Sequence, residues 1–159
     1  MNPSATGAEL VHGTALALGG KAVLIRGPSG SGKSDLALRC IAAPPFGEGG
    51  LRAMLVSDDQ VSLTRAGEGV EADPPPAIAG KIEVRGLGIL ALPFRPGARL
   101  ALVVDLVPAA EVPRFPLDPI SARYLGVAFP LLRLAAFEAS APVKLLLALG
   151  GGLGTGAAP

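Results

Sequence analysis

The run Gly27-Pro28-Ser29-Gly30-Ser31-Gly32-Lys33-Ser34 follows the apolar stretch KAVLIR and precedes DLALRCIAA, and no other segment constrains the fold of this chain as strongly. It matches G-x-x-x-x-G-K-[ST] in full, with the strand before and the helix after that such a loop needs. Its glycines let the backbone curl so that successive N–H groups converge on phosphate oxygens, and the helix N-terminus adds the positive end of its dipole. Lys33 is placed to neutralise β and γ phosphates, and Ser34 to offer its hydroxyl to Mg²⁺. All eight residues are therefore candidate nucleotide-binding positions. In the helix that follows, Leu36, Ala37, Cys40 and Ile41 recur at helical spacing, and Pro44-Pro45 ends it.

The remainder must build the sheet that holds this loop. At 159 residues the chain fits one domain. Half of the residues are hydrophobic but only 4% aromatic, so the core must come from Ala, Val, Leu and Ile. The 22 glycines and 16 prolines approach a low-complexity composition, yet the apolar content argues against disorder and for long loops between short strands. A formal charge of +1 predicts no strong non-specific attraction to nucleic acid or anionic membrane, and leaves a local basic site open. The lone Cys40 can neither close an internal disulfide nor build a zinc site, and reads as a small buried hydrophobe. No segment has the order of a signal peptide, and charged residues interrupt the apolar runs before membrane-spanning length. A cytoplasmic location is the expectation.

Along the chain, residues 1–9 and the glycine-rich 150–159 are expected to be flexible ends around a domain over 10–149. LVHGTALAL and KAVLIRG, joined by Gly19-Gly20, predict a strand pair with a tight turn. AMLVSDD predicts a strand running into two acids, QVSLTR a surface strand, and EGVEADPPPAIAG a proline-dominated loop. KIEVRGLGILAL predicts a strand interrupted by two glycines, LALVVDLV a buried strand, and ARYLGVAFPLLRLAAF a strand bent or edged by Pro130. SAPVKLLLALG predicts a closing helix with Ser140 as its cap. The sum is an α/β fold in which a mixed sheet surrounds one phosphate-binding helix, unlike the regular alternation of a doubly wound fold.

Asp58-Asp59 ends an apolar strand, where a P-loop protein places a metal-binding or basic carboxylate beside the phosphates. Neighbouring residues on a strand point to opposite faces, so the two acids are expected to differ in role. By spacing alone, Glu83 and Arg85 read as a solvated pair on one strand face and His12 as a structural histidine.

Taken in order, His12-Gly13, GPSGSGKS, VSDDQV and IEVRGLGIL closely resemble the catalytic domain of bacterial HPr kinase/phosphorylase, over roughly residues 8–138. The Glu-x-Arg-Gly-x-Gly-Ile element is the most specific part of that resemblance. It implies a core like that of phosphoenolpyruvate carboxykinase. It also implies an enzyme that uses ATP and Mg²⁺ to phosphorylate a serine of HPr, or of an HPr-like carrier of the phosphotransferase system, and that in many members reverses this by phosphorolysis. Carried over by motif, Asp59 is the acid/base, Ser34, Glu83 and Asp58 hold Mg²⁺, Lys33 binds phosphate, and His12 lies close to the reacting groups. The family's catalytic arginine is matched best by Arg114, with Arg123 as the alternative. A homo-oligomer, commonly a hexamer, is also implied.

Two departures from the family shape the expectation. The chain begins almost at the kinase domain, as in short forms without a separate N-terminal domain. The region tied to phosphorolysis reads FPLLRLAAFEAS, without Pro-Gly between its basic residues, and the family's further helices do not follow. Kinase activity is therefore the better supported direction. The rivals are a P-loop kinase of a small metabolite, though no long arginine-rich lid is evident, and an ATP-binding regulatory module without turnover. An ordinary Asp is a weak base for a seryl hydroxyl, so a neighbouring acid and partial burial are expected around Asp59.

Overall fold

The computed structural model describes residues 7–115 and 118–152. Two strands, β1 (Ala8–His12) and β2 (Thr14–Leu18), lead to β3 (Lys21–Arg26), the phosphate loop and α1 (Lys33–Ala42). Then come β4 (Ala53–Ser57), β5 (Gln60–Ala66), β6 (Gly69–Asp73), a hairpin of β7 (Lys81–Val84) and β8 (Gly88–Ala91), and the long β9 (Ala98–Leu106). A second hairpin, β10 (Ile120–Tyr124) and β11 (Val127–Leu134), precedes α2 (Ala141–Leu147).

Among the described residues the main sheet is mixed and runs β1-β5-β6-β9-β3-β2-β4, with β10 and β11 joined to it through β9. The nine residues of β9 serve two neighbours on one side: Ala98 and Arg99 face β6 antiparallel, while Val103–Leu106 face β11 parallel. On its other side β9 runs parallel to β3. The carboxyl ends of β3, β9 and β11 therefore emerge together, beside the phosphate loop.

Alternation along the central strands sorts the core. Val23 and Ile25 of β3 join Leu16, Leu55 and Val104 beneath both helices, meeting Leu36, Cys40 and Leu145. Ala22 and Leu24 turn the other way, toward Val61, Leu63, Val70 and Phe129 on the curled outer strands. Phe129 is the one aromatic side chain among these buried residues, as an aliphatic composition requires. The helical spacing of Leu36, Ala37 and Cys40 faces the sheet, and Cys40 is 1% exposed.

Several expectations need correction. The run at 10–18 is two strands, not one: Gly13 separates β1, paired with β5, from β2, paired with β3. The first strand begins at Ala8, inside the end expected to be flexible; residues 1–6 and 153–159 lie outside the described residues. EGVEADPPPAIAG is not all loop, because Val70 and Ala72 alternate inward in β6 before the prolines begin. The glycines of KIEVRGLGILAL turn the chain into the β7–β8 hairpin rather than merely interrupting a strand. ARYLGVAFPLLRL is likewise a hairpin, turning at Leu125-Gly126 with φ of 51° and 82°, the signature of a two-residue I′ turn. Pro130 is exposed and precedes the β9 pairing, which starts at Leu131. Ser140 occupies the cap position of α2 but accepts the Lys144 N–H through its carbonyl at 2.9 Å, and its side chain makes no cap bond.

Candidate active site

The phosphate loop leaves β3 at Gly27 and enters α1 at Lys33. A turn closed by Ser31 N–H to Pro28 C=O at 3.0 Å curls it, and Gly30 and Gly32 adopt φ of 82° and 99°. At Gly32 space is limiting as well as φ: a Cβ there would lie 2.9 Å from the Phe137 ring and 3.0 Å from Ala136 Cβ. Lys33 is 7% exposed and folds back over the loop, donating to the carbonyls of Gly27 at 2.7 Å and Pro28 at 3.0 Å. Burial lowers its ammonium from the usual lysine range, and the carboxylates of Asp58 and Asp59 partly oppose that shift.

The two acids differ as their positions predicted. Asp58 is buried and accepts three bonds: from Thr14 Oγ1 at 2.9 Å and Ser34 Oγ at 2.7 Å, both on Oδ1, and from the Glu83 N–H at 3.1 Å on Oδ2. It ties together the start of β2, the first turn of α1 and β7. Asp59 points outward. The Gln60 N–H reaches back to Asp58 C=O at 2.8 Å around an Asp59 φ of 71°, which makes a classic γ-turn, a rare and strained form. The Gly13 N–H holds the Asp59 carbonyl at 3.0 Å, and His12 Nδ1 lies 3.7 Å from Asp59 Oδ1. The partial burial expected of Asp59 is not found: its side chain is 75% exposed. The buried acid is its neighbour.

These groups face one open cavity of about 630 Å³. His12, Ser29, Gly30, Gly32, Lys33, Ser34, Asp58, Asp59 and Glu83 all line it, so the structure brings most of the expected site together. Gly27 contributes its carbonyl to Lys33, while Pro28 and Ser31 line a second cavity behind the loop. Arg114 lines neither cavity; it lies on the surface stretch 108–115 that follows β9, which is exposed almost throughout. Arg123 is exposed on β10 and donates to Gly126 C=O at 3.1 Å. The arginine among the residues lining the main cavity is Arg85, and it is exposed, in keeping with the solvated face read from the sequence.

Sequence reasoning missed three features. Thr14 bonds Asp58, and its only signal is its place directly after His12-Gly13. Phe137 is 72% exposed against Gly32 and lines both cavities. Arg26, the last residue of β3, grips Asp105 with two bonds of 2.6 and 2.9 Å and Tyr124 Oη at 3.0 Å, which raises its already high pKa. That clamp fixes the strand end from which the phosphate loop springs. No sequence spacing linked its three members.

The donor set fits Mg²⁺. A hydroxyl and a carboxylate of Ser34 and Asp58 converge, with Glu83 on the same cavity wall, and Mg²⁺ prefers a few such oxygens completed by phosphates and water. Among the described residues no three or more His, Cys, Asp or Glu side chains converge closely enough to hold a metal ion by themselves, so the site does not suit an all-protein metal cage.

Comparison with known proteins converges with this geometry. The chain is 41% identical over 128 residues to the HPr kinase/phosphorylase of Bordetella pertussis, covering 74% of this chain and 39% of that protein. It is 38% identical over 127 residues to the HPr kinase/phosphorylase of Burkholderia cenocepacia, covering 74% and 37%. The chain thus spans about two fifths of the length of these relatives. The solved structure of the Hpr(Ser) kinase/phosphatase from Coxiella burnetii shares the fold, with a TM-score of 0.71 at 24% identity, over 86% of each chain. The model of the HPr Serine kinase C-terminal domain matches residues 4–135, which include the phosphate loop, both acids and the β7–β8 hairpin. The chain belongs to that family.

Proposed function

We propose that this chain is an ATP-dependent serine kinase that transfers the γ-phosphoryl group of ATP to a seryl hydroxyl of HPr or an HPr-like phosphocarrier. The observation that carries the reading is the division of labour between adjacent acids. Asp58 is buried against the phosphate-loop hydroxyl of Ser34, and Asp59 is presented to solvent beside His12 in the same cavity. In a transfer of this kind the protein chiefly positions groups and stabilises charge.

Asp59 accepts the seryl proton as the hydroxyl oxygen attacks the γ-phosphorus and the bond to the β-phosphate oxygen breaks, releasing ADP. His12 orients the Asp59 carboxylate. Lys33 and the N–H groups of Gly30–Ser34 hold the phosphates, and Arg85 is the guanidinium we assign to the transferring group, in place of Arg114. Ser34 and Asp58, with Glu83, would hold Mg²⁺, which supplies charge neutralisation at the β and γ phosphates. In phosphorolysis an oxygen of inorganic phosphate would attack the seryl phosphorus, the bond to the seryl oxygen would break to form pyrophosphate, and Asp59 would return the proton to that oxygen.

The exposure of Asp59 favours a protein acceptor over a small metabolite. A serine on the surface of a folded carrier must reach the base from outside, whereas metabolite kinases enclose their acceptor to exclude water. Such a kinase acts in the cytoplasm, with its carrier and ATP. A homo-oligomer would cover exposed apolar side chains such as Leu87 and Ile89 of the β7–β8 hairpin and Val143 and Leu147 of α2.

Incubation with ATP labelled in its γ-phosphate, with a purified HPr-type carrier and a panel of small metabolites as acceptors, tests the reading. Label on a carrier serine supports it. Label only on a metabolite points to the first rival, and nucleotide binding without transfer to the second.

A further inference from the structure

We propose that the second cavity, behind the phosphate loop, is the nucleobase subsite, with Phe137 as the wall on which the base stacks. The inference rests on the reading of the main cavity as a nucleoside triphosphate site and goes beyond it by placing the base.

The second cavity has a volume of about 480 Å³. It lies where β9 and β11 end, between Pro28 of the phosphate loop, the stretch Leu106–Ala109 and the turn Ala135–Glu138. In open α/β sheets ligands bind outside the carboxyl ends of parallel strands, and β3, β9 and β11 are the parallel set here. Its lining is mainly apolar, with Ser31 and Glu138 as the polar side chains. That chemistry suits the flat, weakly solvated face of a base and not a further phosphate, for which no cation lines the cavity.

Phe137 links the two cavities. Its ring tip lies over Gly32 at the start of α1, it lines both spaces, and it is 72% exposed, so an aromatic surface stands free beside the phosphate cradle. An exposed phenylalanine costs solubility and contributes little to the core. Its backbone is nevertheless held in place: Arg39 of α1 donates to the carbonyls of the residues on either side, Ala136 and, at 3.4 Å, Glu138. The helix that opens on the phosphates thus also fixes the aromatic wall.

The full chain is titrated calorimetrically, with Mg²⁺ present, against ATP and against inorganic tripolyphosphate, which carries the phosphates without a base. Two variants at exposed positions are compared: Phe137→Ala, which removes the stacking surface, and Ala109→Phe, which fills the cavity. The wild-type chain is expected to bind ATP at least about tenfold more tightly than tripolyphosphate, the scale of one base–aromatic stack. Both variants are expected to lose most of that preference by weakening ATP about tenfold, and Ala109→Phe, which lies outside the phosphate cavity, is expected to leave tripolyphosphate unchanged. Equal affinity of the wild type for both ligands overturns the subsite while leaving the phosphate site intact. So do equal losses for both ligands, or unchanged ATP affinity, in the variants. Binding of neither ligand by the wild-type chain overturns the subsite together with the kinase reading.

Discussion

The Ser34 hydroxyl donates to the Asp58 carboxylate at 2.7 Å, joining the first turn of α1 to the residue that follows β4. The same oxygen accepts from Thr14, and the other accepts the Glu83 N–H. Asp58 therefore organises the floor of the cavity, while Asp59, one residue on, stands exposed beside His12.

Removing that organiser should cost stability. Asp58→Ala leaves the fully buried Thr14 hydroxyl without its acceptor and frees the Glu83 N–H. The expected loss is about 2 to 4 kcal/mol in urea unfolding, from the penalty of unsatisfied buried groups. Asp58→Asn, which keeps one acceptor oxygen, should lose less. Equal stability of Asp58→Ala and wild type would show that the three bonds are not formed in solution.

Gly13→Ala should destabilise the chain by about 1 to 3 kcal/mol, because overpacking against rigid groups cannot relax. The new Cβ would lie 2.8 Å from the Ile25 carbonyl oxygen and 3.0 Å from Leu24 Cδ1. Since the Gly13 N–H also holds Asp59, transfer should fall along with stability. Thermal unfolding and the transfer rate, measured on the same preparation, check both.

Lys33 gives an alkaline signature. Burial first, with the carboxylates opposing, places its folded value below the usual lysine value of 10.5. In the window between the two, the unfolded chain binds more protons than the folded one, so this residue makes stability rise with pH and stop rising above 10.5. Lys33→Met should abolish that increment in urea midpoints measured across the window. Phosphate affinity should change in the opposite direction in wild type, falling as Lys33 loses its proton. Parallel stability curves for the two proteins would contradict the burial-driven shift.

Cys40 should be silent in the native chain. It is 1% exposed and burial pushes its thiol up to about 12, so neither access nor thiolate is available at neutral pH. A disulfide exchange reagent should label it only as the chain unfolds, in step with the loss of helical circular dichroism. Rapid labelling of the folded protein would place α1 away from the sheet.

The phosphate loop, the helix after it and the acids after β4 were legible because their chemistry is local: each depends on neighbours in sequence. The buried strands were legible for the same reason, through continuous apolar runs. The hairpins were harder. At Gly86 and Gly88, and again at Leu125-Gly126, a turn and an interrupted strand look alike until register is known. Long-range partnerships left no trace at all. Thr14 with Asp58, Arg26 with Asp105 and Tyr124, and Phe137 over Gly32 are set by how the sheet curls, and residue type alone does not encode that. Arg114 was expected at the site through a motif match; it is exposed on the stretch after β9 and lines neither cavity, whereas Arg85 lines the main one.

The division of labour between the two acids is tested most directly by Asp59→Asn, in single-turnover transfer of labelled γ-phosphate to a purified HPr-type carrier, with ATP affinity measured alongside. Asparagine tolerates the positive φ of this position, so the charge is removed without added backbone strain. Loss of the base is expected to slow transfer by about a hundredfold or more while ATP affinity stays within about twofold of wild type. Transfer at the wild-type rate would contradict the assignment of Asp59 as the base.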